Sequence, residues 1–188
     1  HELDAEKFAL CLEHGINRFS FGVQSFNSKV RQSVGRIDDR EQLLNALTSM
    51  LHQEQASIVI DLMYGLPYQT PEVWADDLAL QFKLGLHGGD LYQLNIFPNS
   101  ALDQAILNKH LPAAAKLAEQ AEMYAYAVQQ IKQTPAIKRL SVCHWASSSK
   151  ERSLYNRLSL GGADIIPFGA GAGGFIAGHS IMCDRNLV

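Results

Sequence analysis

The chain reads as α/β, an incomplete barrel of parallel strands with helices on its outside. Short β-forming runs alternate with amphipathic helical stretches, the rhythm of βαβ units with right-handed crossovers. One run, Ser57 to Met63 (SIVIDLM), is almost continuously apolar, as a parallel strand buried on both faces is. A length of 188 residues with 47% hydrophobic and 19% charged side chains suits a single globular domain of ordinary composition.

Taken in order, LDAEKFALCLEHG predicts a helix with Asp4 as N-cap and Gly15 just past its end, Ala5, Phe8 and Leu12 sharing a face. Ile16 to Phe21 (INRFSF) is a strand ending at Gly22, with Gln24 emerging from its C-terminal end. Arg36 follows twelve residues later, beyond a short helical piece. Asp38 to Gln53 opens with two acids and aligns Leu43, Leu44, Leu47 and Leu51, so it is the helix before the SIVIDLM strand. Pro71 starts a helix to about Leu84, and Gly85 to Gly89 breaks it. Asp90 to Phe97 is a third strand, Leu102 to Asn108 a weaker helix, and Ala113 to Gln133 a long one. Ile137 to Cys143 reads as a fourth strand, Arg152 to Leu160 as a helix, and Ala163 to Phe168 as a fifth strand. In such a barrel, Gln24, Asp61, Asn95, Phe97 and His144 gather at the rim formed by the strand C-termini.

Composition narrows the function. A net charge of -3 implies no basic face for nucleic acid. Cys11, Cys143 and Cys183 are odd in number and far apart, which favours reduced thiols in the cytoplasm over a disulfide frame. No apolar run is long enough to span a membrane, and no export signal is readable. The chain opens inside a helical pattern, so a fragment is expected.

Asp61 is the misfit, a carboxylate near the end of a buried strand. It needs either a structural partner or a ligand. Taken alone, Gln24 suits a backbone hydrogen bond in a turn, Arg36 a solvated surface charge, and His144 a packed core histidine beside Trp145. GAGAGG, Gly169 to Gly174, satisfies G-x-G-x-x-G but lacks the following helix and acid of a dinucleotide loop. A tight glycine turn is its plain alternative. The other histidines have no metal-ligand spacing and read as surface or structural, His1 and His179 among them.

The words GVQSFN, VGR and IDLMYGLP, with QTPE following, resemble the oxygen-independent coproporphyrinogen III oxidase family of radical S-adenosylmethionine (SAM) enzymes. The resemblance implies a partial radical-SAM (β/α) TIM-like barrel, in which Gln24, Arg36, Asp61, Phe97 and Gly173 contact SAM. The last belongs to backbone at Gly171 to Gly174, near the adenine. A ligand with ammonium, carboxylate, sulfonium and ribose hydroxyls suits this mix of amide, guanidinium and carboxylate. HWA at His144, then RSLYNRL and the glycine run, are more similar to the haem-utilisation (HutW-like) branch and make His144 a catalytic candidate.

The family's C-x-x-x-C-x-x-C motif, whose thiolates hold a [4Fe-4S] cluster, is not in this sequence, and Cys143 and Cys183 stand forty residues apart. In the family it lies upstream, so residues 1–188 are expected to be the C-terminal part of the barrel domain, inactive alone. The complete protein is then expected to use SAM, the cluster and an electron donor on a tetrapyrrole, opening the haem ring with methyl transfer. Oxidative decarboxylation of coproporphyrinogen and non-catalytic haem carriage are the alternatives. The hydrophobic INRFSF strand, left at an open edge, is expected to drive self-association.

Overall fold

The computed structural model describes residues 5–186, in two units, one ending at Glu151 and the other beginning at Arg152. The proposed N-cap Asp4 and the histidine His1 lie outside the described residues. The first unit opens with α1 (Ala5–Glu13), β1 (Arg18–Gln24), the short α2 (Ser28–Ser33), α3 (Arg40–His52) and β2 (Ser57–Tyr64). It continues with α4 (Pro71–Lys83), β3 (Gly88–Gln93), α5 (Ala101–Leu107), α6 (Leu117–Lys132), β4 (Lys138–Arg139) and β5 (His144–Ala146). The strands form one sheet in the order β1-β2-β3-β5-β4. β1, β2 and β3 run parallel, with Gly22 opposite Asp61 and Asp61 opposite Asp90. β1 is an edge strand, pairing only with β2 among the described strands.

The helices begin where local chemistry starts them. Asp39 caps α3 by accepting from Gln42 N at 2.8 Å, and Gln42 returns the bond to Asp39 N, a capping box. Thr70 caps α4 with Pro71 in its first turn. One face of the sheet packs under these helices. Phe19 and Val23 of β1, Ile58, Ile60 and Leu62 of β2 and Leu91 of β3 join Leu47, Trp74, Leu78, Met123 and Ala127 in the main core. The opposite face carries Arg18, Ser20, Ser57, Asp61 and Asp90, because successive strand residues point to opposite sides. That polar face positions the site.

Three elements differ from the sequence expectation. Among the described residues the parallel strands number three, not four or five. The expected fourth strand, Ile137 to Cys143, keeps only Lys138 and Arg139, which pair antiparallel with β5; β5 is itself antiparallel to β3. The chain turns back at Ser141, whose Oγ accepts from His144 N at 3.1 Å, and so stays at one edge instead of crossing over. The third strand starts earlier than expected, at Gly88. These glycines read as a breaker, yet they sit in the strand because neighbours fill the space of a side chain. A Cβ on Gly88 would meet Trp145 O at 2.7 Å and Glu151 Cγ at 2.9 Å, and one on Gly89 would collide with the Gln81 amide.

The second unit holds α7 (Leu154–Leu160) and a hairpin of β6 (Gly173–Ile176) and β7 (His179–Met182). The expected fifth parallel strand, Ala163 to Phe168, is absent. Ile165 makes a single antiparallel bridge to Phe175, and Pro167 lies against Gly174, where any Cβ would clash with it and with Ile165 O. No described helix is long and apolar enough to cross a membrane.

Candidate functional site

At the C-terminal ends of the three parallel strands lies a recess of about 310 Å³, lined by Gln24, Asp61, Met63, Tyr92, Asn95 and Phe97, with Gln93 beside them. Four of the rim residues expected from the sequence, Gln24, Asp61, Asn95 and Phe97, therefore share one cavity. Gln24 is its most informative member. Its backbone is left-handed, φ +68°, a conformation that costs a non-glycine residue about 1 kcal/mol or more and concentrates at functional sites. Its Oε1 is buried and has no hydrogen-bond donor among the described residues. A buried acceptor left open at a strained position in a cavity is suited to a ligand's N–H or O–H.

Arg36, from the loop after α2, does not line the recess but comes close to Gln24 at Gly22. Gly22 carries no side chain, and the volume its Cβ would occupy is closed by Gln24 Nε2 at 2.8 Å and Arg36 Nη2 at 3.0 Å. Any larger residue at Gly22 would separate that pair. Arg36 itself lines an adjoining cleft between β1 and α3, with Asp38 and Arg31.

Asp61 accepts from Ser20 Oγ at 3.0 Å. Burial raises its pKa, the Ser20 bond opposes the rise, and the neighbouring Asp90 carboxylate adds to it. Such a carboxylate gains from a cationic or hydroxyl-bearing partner. Tyr92, across the recess, is pushed up to about 12 by burial and then by Asp90 and Asp61, so it stays a phenol. Phe97 is 72% exposed, an open ring face at the rim.

The remaining two candidates are elsewhere. His144 is 1% exposed and does not line the recess; its ring lies between the carboxylates of Asp90 and Glu151. Gly173 begins β6 in the second unit, 3.8 Å from the Met182 side chain by its would-be Cβ. Cys11, Cys143 and Cys183 are free thiols, and among the described residues no three His, Cys, Asp or Glu side chains converge as a metal site.

Sequence reasoning missed the scaffold that holds the recess. Asp77 on α4 is 2% exposed. It accepts from Ser25 Oγ at 2.7 Å and Phe26 N at 2.7 Å, fastening the loop directly after Gln24. Gln69 donates to Asp77 at 3.4 Å and to Met63 O at 2.9 Å, while its own oxygen accepts from Gly65 N and Leu66 N. Arg31, also buried, donates to Val23 O at 2.6 Å. Ser25 and Gln69 lie inside the quoted words GVQSFN and QTPE, but only the contact with α4 reveals their task. A larger groove of about 930 Å³ runs between α4 and the start of α6; no strand-end side chain reaches it.

No protein-family model matches the chain. Its sequence is 40% identical over 184 residues, 98% of the chain, to anaerobilin synthase from Escherichia coli O157:H7. It is 27% identical, over 94% of the chain, to the heme chaperone HemW from Bacillus subtilis. Among solved structures it superposes on coproporphyrinogen III oxidase (HemN) from Escherichia coli, a radical SAM enzyme, with a TM-score of 0.79 over 99% of the chain at 23% identity. The chain is thus similar over nearly its whole length to anaerobilin synthase and to HemW, and it shares the fold of HemN. The HemN likeness carries the fold, a partial radical-SAM barrel of parallel strands with outer helices. This HemN-like chain spans less than half of each relative, 41% of the anaerobilin synthase, 46% of the HemW and 45% of the HemN chain.

Proposed function

We propose that the chain carries part of the SAM-binding site of a radical SAM enzyme that acts on a tetrapyrrole, with haem as substrate in anaerobic haem utilisation. The observation that carries the reading is Gln24, strained and with an open buried acceptor, set beside Asp61 in a strand-end recess of a chain 40% identical to anaerobilin synthase. The residues present fit SAM chemically. Gln24 offers an acceptor to an N–H or O–H, Asp61 a carboxylate to an ammonium or ribose hydroxyls, Arg36 a guanidinium to a carboxylate, and Phe97 an apolar face. Gly173 is assigned to the same ligand by the family resemblance alone. His144, proposed earlier as a catalytic candidate, is read as acting from below the recess and not on substrate.

When bound to a reduced [4Fe-4S] cluster in the complete protein, SAM supplies a radical or a methyl group for opening the macrocycle. The C-x-x-x-C-x-x-C thiolates that hold such a cluster in the family are not among these 188 residues. The chain's own contribution is to bind and orient the SAM end that Asp61 and Gln24 face. The proposed location is the cytoplasm, consistent with three free thiols. Calorimetric titration with SAM, on the chain and on its Asp61→Ala variant, tests the site; equal affinity in both would remove it. Anaerobic assays of the complete protein with haem and with coproporphyrinogen separate ring opening from oxidative decarboxylation. The similarity to HemW favours a second reading, haem carriage, for which haem binding without SAM cleavage is the expected result.

A further inference from the structure

Beneath the recess floor the sheet buries a row of charges that the ligand reading does not use. Asp90 is the strand partner of Asp61 on one side and of His144 on the other. His144 Nδ1 lies 2.7 Å from Asp90 Oδ2, and Nε2 lies 3.3 Å from Glu151 Oε1. The second contact is the longer and poorer in hydrogen-bond geometry, and Glu151 acts on the ring through its charge as well. Glu151, whose side chain is fully buried, accepts from Arg18 Nε at 2.8 Å and from Ser57 Oγ at 3.3 Å. Four charged side chains from β1, β3, β5 and the segment after β5 thus meet under Asp61.

The charge count decides what this row does. It sets three carboxylates, Asp61, Asp90 and Glu151, against one guanidinium, Arg18. With a neutral imidazole two negative charges stay uncompensated in a largely buried layer, and Asp61, beside Asp90, is the carboxylate free to take up a proton. With an imidazolium, His144 compensates Asp90, Arg18 compensates Glu151, and the single remaining negative charge is the one that faces the recess. Burial alone drives a histidine toward its neutral form, but here the two carboxylates outweigh it and raise His144 to about 9. The other titratable groups nearby do not supply the charge. Tyr92 stays a phenol, and the His87 ring accepts from Ile58 N at 2.9 Å through Nδ1.

We propose that His144, held as an imidazolium between Asp90 and Glu151, is a positioning residue that helps keep Asp61 ionised as pH falls, so that the recess goes on selecting a ligand bearing a positive charge. Its identification of that ligand as SAM rests on the function proposed above, whereas the electrostatic coupling does not.

The test is nuclear magnetic resonance titration of the His144 ring nitrogens and the Asp61 carboxyl carbon. Wild type is compared with His144→Gln and with the double variant His144→Gln/Asp90→Asn, and SAM affinity is measured in parallel. In wild type both ring nitrogens carry protons at pH 7. Loss of the imidazolium raises the Asp61 midpoint, because His144 is one of the charges that hold it down. SAM affinity then begins to fall at a higher pH than in wild type. In the double variant the removed charges cancel, and the midpoint and affinity return toward wild type; a packing role predicts a further loss. A neutral ring at pH 7, an unmoved Asp61 midpoint, or a double variant worse than the single one each overturns the proposal, and the ring measurement stands even where the variant does not fold. Absence of SAM binding to wild type, with the titrations as expected, refutes the SAM reading and leaves the coupling intact.

Discussion

Replacing Asp77 tests whether the loop behind Gln24 is held by a carboxylate that the fold buries at a cost. Asp77 accepts from two buried donors, Ser25 Oγ and Phe26 N, both at 2.7 Å, and from Gln69 Nε2 at 3.4 Å. Asp77→Ala leaves Ser25 and Phe26 without their acceptor in a site 0–2% exposed. At about 1–3 kcal/mol per stranded donor, the expected loss of stability for the two is about 2–6 kcal/mol. Asp77→Asn keeps the shape and one acceptor oxygen, and it separates the charge from the bonds. Burial raises Asp77 from 3.8 to about 6 despite the three donors. Its folded-state value thus lies above the unfolded one, the reverse of a salt-bridged acid. The contribution is most favourable below pH 4 and declines as pH rises to about 6. A difference of about two units, at about 1.4 kcal/mol each, makes that decline about 3 kcal/mol. Urea unfolding from pH 4 to pH 8 is the assay, and Asp77→Asn should gain on wild type by up to that amount between pH 4 and pH 7. A wild-type to Asn difference that is constant with pH would refute the burial argument. An Ala variant as stable as wild type would refute the anchoring one.

Four further outcomes are expected. Gln24→Gly relieves the left-handed backbone and changes stability by no more than about 1 kcal/mol, while SAM affinity falls; a large loss of stability with affinity intact would make Gln24 structural. Asp61→Ala and Arg36→Ala each weaken SAM binding by about 1–3 kcal/mol, measured by calorimetry, if each loses a charge-assisted bond. His144, raised from 6.5 to about 9, stabilises the fold fully below pH 6.5 and loses that contribution as pH rises through about 9. Unfolding between pH 6 and pH 10 should decline by up to about 3 kcal/mol in wild type and not in His144→Gln. Finally, β1 pairs on one side only, so sedimentation should find self-association at micromolar concentration, and a monomer throughout would discount an adhesive edge.

The three parallel strands were legible because their signal is local. The almost continuous apolar run at β2, and alternation at β1 that turns Phe19 and Val23 inward, state both strand and burial without reference to anything distant. The starts of α3 and α4 were equally legible, from the two opening acids and from Pro71, while the caps Asp39 and Thr70 emerged only from the structure. The antiparallel return at β4 and β5 was not. A two-residue strand has no periodicity, and what places it is the pairing of Gly88 to Asp90 with His144 to Ala146 across more than fifty residues. Gly88 and Gly89 misled for the same reason, because the side chains that require them to be glycine, Glu151 and Gln81, come from other elements.

For the site, the sequence alone determined the membership of Gln24, Asp61, Asn95 and Phe97, since residues at successive strand ends of a parallel sheet must share one rim. It also marked Asp61 as an acid in need of a partner, because burial cost follows from the apolar run around it. Only the tertiary structure decided that Gln24 is strained with an open acceptor, that Arg36 joins it across the bare backbone of Gly22, and that His144 sits below the rim between two acids. Those properties depend on distances between residues tens of positions apart, and the free energy of an ion pair or a buried carboxylate depends on that surrounding arrangement, not on the residue's own place in the chain.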